Sequence, residues 1–295
     1  MFFPHRNRRF GGDNGLLAGA VLFLACTLVS VLWARVAHAG DLETLRVENL
    51  PMSRVTVRGP VAVEISQGEP AELLMRGPAE QLAVRPFIAR EKLLVLGDSE
   101  QEPRADVSDV RYKLILPSLE ALHMAGSGTV YVRPLVVDDL QVLLEGSGDL
   151  RLFGIDAGGH ALRLDLNGSG DVEVAELSAE TLKLSLSGSG DMRLGAVAVD
   201  ASIDVVLKGS GDMTARERGR AEDLELAIVG SGDIDFRRID AVDVEVNIVG
   251  SGDARIGEVQ TLDVTVLGSG DVHYRGRPDI STTILGSGRL HDSDE

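Results

Sequence analysis

Between residues 140 and 266, aliphatic side chains repeatedly fall on every second position and then stop at Gly-Ser-Gly. Reading six, four and two residues before the first glycine gives Leu140/Val142/Leu144, Leu162/Leu164/Leu166 and Leu182/Leu184/Leu186. The series continues with Ile203/Val205/Leu207, Leu224/Leu226/Ile228, Val244/Val246/Ile248 and Leu262/Val264/Val266. A strict period of two predicts strands with one buried face. Alternation resumes beyond each corner, as in Val172 and Val174, Met192 and Leu194, or Ile234 and Phe236. Beyond Gly40 no stretch sustains a helical period.

The corners recur with a near-constant spacing. Gly-Ser-Gly begins at Gly126, Gly146, Gly168, Gly188, Gly209, Gly230, Gly250, Gly268 and Gly286. One such unit cannot bury its own apolar face, whereas stacked units make continuous ladders of leucine and valine. At roughly 3.3 Å per residue each unit makes a coil of about 60–70 Å. The expected fold is therefore an all-β solenoid with parallel rungs of about 20 residues. An antiparallel sandwich is the alternative, although it calls for varied hairpin turns rather than one corner copied nine times.

In-register stacking makes outward residues direct neighbours. Arg151, Glu173 and Arg193 should then form a column of alternating charge, and Asp235 and Arg255 a further pair. Seven corners carry an aspartate, namely Asp149, Asp171, Asp191, Asp212, Asp233, Asp253 and Asp271. Stacked carboxylates repel one another unless something offsets the charge. Each can accept hydrogen bonds from its own turn, or the column can hold cations such as Ca²⁺, which takes six to eight oxygen ligands. One residue before the later corners stand Val229, Val249, Leu267 and Leu285. Strand parity turns them outward, as a stripe able to dock a partner, unless a loop covers it.

The segment ahead of Gly40 has a different pattern. Arg6, Arg8 and Arg9 precede an uncharged apolar run from Leu16 to Trp33, and Ala37-His38-Ala39 has the small-x-small form of a signal-peptidase site. Residues 1–39 thus read as a signal peptide cut between Ala39 and Gly40, with an uncleaved membrane anchor as the alternative. Residues 40–120, with seven prolines and weaker periodicity, read as opening rungs or a cap. Residues 121–291 form the repeat and 292–295 an acidic tail of the same domain.

Composition narrows the function further. A net charge of −17 argues against nucleic acid as a ligand, since affinity for phosphate backbones comes from lysine and arginine. Contact with a membrane is expected only through the N-terminal segment. The sole cysteine, Cys26, lies inside the apolar run, so cleavage would leave no thiol. Catalytic motifs such as H-E-x-x-H, G-x-S-x-G or a P-loop are absent from the sequence. The stretches "HYRGRPD" (273–279) and "FRRID" (236–240) break the pattern most, but neither by itself gathers an acid, a base and an aromatic platform. His123, His160 and His273 read as surface or filler residues.

Two parts of the sequence resemble a known family. They are "VTVRGPVAVEISQGEPAELLMRGPAEQLAVRPFIAREKLLVL", followed by "YKLILPSLEALHMAGSGTVYV", and the reiterated L-x-L-x-L-x-G-S-G-D-V-x-V unit. Over about residues 42 to 290 the chain resembles the head GIN domain family, exported bacterial proteins labelled auto-transporter adhesins and catalogued as a domain of unknown function. The resemblance implies a right-handed parallel β-helix-like fold and an envelope or extracellular location, and it transfers no catalytic residue. The expectation is an exported, non-enzymatic adhesin, scaffold or ligand-binding module in the periplasm or at the cell surface. Its partner would be an envelope protein or a glycan, with no cofactor beyond the Ca²⁺ alternative. A polysaccharide-cleaving β-helix enzyme, hydrolase or lyase, is the other class.

Overall fold

The computed structural model describes residues 31–34, 42–100 and 105–294. Ala39, Gly40 and nearly all of the apolar run lie outside the described residues. Val31–Ala34, at the end of that run, form a strand antiparallel to Leu42–Glu48.

The repeat folds as a parallel β-solenoid of about nine turns. A single rung has three sides. The first is a strand such as Ala161–Gly168, which ends at the glycine corner. The strand Asp171–Gly188 then runs along the second and third sides and becomes the first side of the next rung. All nine corners are in register, with Gly126, Gly146, Gly168, Gly188, Gly209, Gly230, Gly250, Gly268 and Gly286 stacked in sequence. Neighbouring rungs do not all have the same length, and the pairing register shifts at Ala179/Thr181 and again at Ala198/Ser202. The difference is thus absorbed in the connector, and the corners stay aligned.

The period-two residues fill the interior. Leu162, Leu164 and Leu166 sit above Leu182, Leu184 and Leu186, and all six are buried. Second-side residues such as Val172 and Val174 and third-side residues such as Leu177 and Ala179 close the same core. Large aliphatic side chains of this kind each stabilise by roughly 1.5–3 kcal/mol when fully buried. The core runs without interruption from Leu45 to Val272. Phe236 is its bulkiest fully buried side chain, which accounts for how little aromatic content the fold requires.

The N-terminal part is a cap whose order in space differs from its order in sequence. Arg54–Arg58 and Ala62–Gln67 form a rung next to residues 121–132. Outside it lies a later segment, with Leu93–Leu96 parallel to residues 54–57 and Arg111–Leu116 parallel to residues 62–67. Glu72–Pro78 then pairs antiparallel with both Arg111–Leu116 and Leu42–Glu48, while Phe87–Arg90 folds back on Leu93–Leu96. Antiparallel strands thereby cover an edge that would otherwise invite pairing with another chain. Buried Tyr112 ties this region together, its hydroxyl donating to Pro86 O at 2.8 Å and accepting from Gly97 N at 3.2 Å.

The far end is open. The last first-side strand, Asp279–Gly286, pairs with Thr261–Gly268 on one edge and with no described strand on the other. Ile280 occupies a core position by parity yet is 43% exposed, because no further rung covers it.

Candidate functional site

The corner explains its own sequence. The first glycine of every copy has φ between +117° and +148°, a region that side chains disfavour. The second has a different constraint. A Cβ on Gly170 would run into the carbonyl oxygen of Gly148 on the preceding rung, and Gly190 stands in the same relation to Gly170. Ser189, between the two glycines of its corner, is exposed.

The aspartates serve the ladder between rungs. Asp191 N–H donates to Asp171 Oδ1 at 3.2 Å, Asp212 N–H to Asp191 Oδ1 at 3.2 Å, and Asp233 N–H to Asp212 Oδ1 at 3.0 Å. The series continues at 2.9 Å for Asp253 on Asp233 and for Asp271 on Asp253, and ends with Arg289 N–H on Asp271 at 2.8 Å. At this level a carboxylate takes the place of a backbone carbonyl as acceptor. The donor is the neighbouring rung, not the aspartate's own turn as the sequence suggests. Asp149, whose preceding rung carries Thr129, uses its N–H on Gly128 O.

The second carboxylate oxygens meet arginine. Arg193 contacts Asp171 Oδ2 at 3.0 Å and also Asp191, and Arg255 reaches Asp233 and Asp253 at 3.4 and 3.3 Å. Each guanidinium therefore offsets two stacked acids. This changes the expected outward charge pairs. Arg151 does face Glu173, at 3.6 Å, but Arg193 turns to the corner acids, and Glu173 instead meets Arg216. Asp235 is adjacent in register to Arg255 yet is held bidentately by Arg237, at 2.7 Å to each oxygen. The fixed corner carboxylates offer a guanidinium fork two oxygens at once, which the more distant neighbours do not.

At the end of the aspartate column, Asp271, His273 and His291 present one donor atom each within 4.8 Å of one another. The imidazoles stack with centroids 4.7 Å apart, and His291 Nε2 lies 3.5 Å from Asp271 Oδ2. Such a set can hold a first-row divalent ion. Sequence reasoning did not bring His291 to this place. The interval from Gly268 to Gly286, which also stacks residue 273 on 291, was the available signal.

Val229, Val249, Leu267 and Leu285 stand in one in-register column and are 47%, 48%, 42% and 65% exposed. No described loop or tail covers them. Higher in the stack the same column is polar, with Asn167, Ser187 and Lys208. A second surface feature escaped the sequence reading. Tyr131 and Phe153 stack at 6.5 Å, with Arg151 over the first ring at 5.8 Å and Arg133 over the second at 5.2 Å.

Solenoid architecture, glycine corners and an outward apolar column define a repeat protein that presents surfaces along a rigid stack. The family model described as "Putative auto-transporter adhesin, head GIN domain" matches residues 51–213 and 159–278, and the chain belongs to that family. Solved structures agree on the fold. A "putative adhesin" from Parabacteroides merdae is similar with a TM-score of 0.64 at 19% identity, covering 86% of this chain and 97% of that one. A "putative lipid binding protein" from Parabacteroides distasonis has a TM-score of 0.63 at 21% identity, with the same coverage. A further "putative adhesin" from P. distasonis has a TM-score of 0.59 at 18% identity, covering 86% and 98%. No curated protein matches the chain. Among the described residues no helix is long and apolar enough to cross a membrane.

Proposed function

We propose that this protein is an exported, non-enzymatic adhesin or scaffold of the bacterial envelope, and that it docks a partner protein through the column Val229, Val249, Leu267 and Leu285. The exposure of that column carries the reading. Four large aliphatic side chains on successive rungs form a contiguous apolar strip, and an isolated soluble domain has little reason to leave such a strip uncovered. Family membership supports adhesion as the kind of role. The N-terminal basic and apolar sequence supports export.

The experiment uses purified protein binding to envelopes of the source bacterium, compared with a Val249→Lys, Leu267→Lys variant. Binding lost with an unchanged melting temperature supports docking through the column. Binding retained by the variant, or a collapse in stability, contradicts it. Release of new reducing ends from envelope polysaccharide would instead support an enzyme.

A further inference from the structure

Five arginines converge on one cavity of this acidic molecule. The cavity has a volume of about 450 Å³ and is lined by Arg218, Arg237, Arg238, Asp240, Arg255, Ile256, His273, Arg275 and Ser293. The whole chain carries 46 acidic residues against 29 lysines and arginines, so this local excess runs against its overall charge. Consecutive rungs contribute, either from the second side itself, as Arg255, Ile256 and His273 do, or from the stretch just past it, as Arg218, Arg237 and Arg238 do. The segments 236–240 and 273–279, neither of which gathers a site by itself, are stacked here into one wall.

Some of these guanidinium groups are committed and some are not. Asp235 holds Arg237, and Arg255 spans Asp233 and Asp253. Arg275 gives one Nη2 to Asp240 at 3.3 Å and to Arg237 O at 3.2 Å. Its Nε–H, however, is buried with no acceptor among the described residues. A buried charged donor left unmatched is costly, and an anion from outside would satisfy it. Arg218 and Arg238 are exposed and form no ion pair among the described residues.

The geometry points to an anion site in this cavity that takes a phosphoryl group. One carboxylate brings a single charge and two coplanar oxygens, which one arginine fork satisfies. A phosphoryl group brings close to two charges and three acceptor oxygens, which suits several uncommitted donors on different rungs. The cavity also has room for more than the phosphoryl group itself. This site is separate from the docking column, so the two ideas stand or fall independently.

Calorimetric titration of the purified protein at low salt tests it, with inorganic pyrophosphate, tri-galacturonate, and vesicles of phosphatidylcholine with or without phosphatidic acid. Binding of pyrophosphate supports a soluble phosphate as the ligand. Binding confined to the phosphatidic acid vesicles supports a lipid headgroup. In either case the Arg218→Gln, Arg238→Gln variant should bind at least tenfold more weakly, and high salt should weaken wild-type binding. Both substituted positions are exposed, so the melting temperature should hold. No binding of either phosphate probe, tighter binding of the galacturonate, or binding indifferent to both substitutions would overturn the assignment.

Discussion

Individual residues carry sharply unequal weight at the corner. Gly190 lies against the Gly170 carbonyl, so Gly190→Ala should cost more than about 3 kcal/mol in urea denaturation, since stacked backbone cannot yield without breaking register. Ser189, between the two glycines, should tolerate alanine within about 0.5 kcal/mol. Tyr112→Phe would strand Gly97 N–H and Pro86 C=O in a buried setting, and a loss of about 1–2 kcal/mol is expected by the same measurement. The residue pattern made the corner positions and the core leucines readable, because both repeat with the rung. The role of the second glycine was not readable, because it depends on an atom of a neighbouring rung.

The strand ladder is the next scale, and there the aspartates act as substitutes for carbonyl groups. Asp233→Ala should cost about 1 kcal/mol by removing the acceptor of Asp253 N–H. Asp233→Asn keeps an oxygen at Oδ1 and should cost less. A column acting through charge alone would show the two substitutions as equally harmful in thermal melts. Period two made the strands and their buried faces legible. The cap was less so, since Leu93–Leu96 and Arg111–Leu116 lie outside residues 54–67 in space and no local pattern encodes that reversal. The arginine cavity was hidden for a related reason. Its members stand about one rung apart along the chain and approach one another only when the rungs stack.

For the molecule as a whole, Arg193 and Arg255 each span two corner acids, so four of the seven carboxylates have a cationic partner within the protein. EDTA should accordingly leave the melting temperature unchanged; a fall that calcium reverses would contradict this. Mild acid should have a visible effect. His273 is held below its ordinary value when folded, mainly by burial, while in the unfolded chain it protonates near pH 6.5. As pH drops through about 6.5, the unfolded state binds more protons and stability declines. The slope should be small, since the ring is partly exposed, and His273→Gln should flatten it. The open edge at Asp279–Gly286 has a wider consequence. A rung needs only the rung beneath it, so duplicating one repeat unit would raise the stack by about 4.8 Å and leave every existing contact in place. Height is thus a variable that a simple tandem copy can change, and evolution could lengthen or shorten this molecule to set how far its far end reaches.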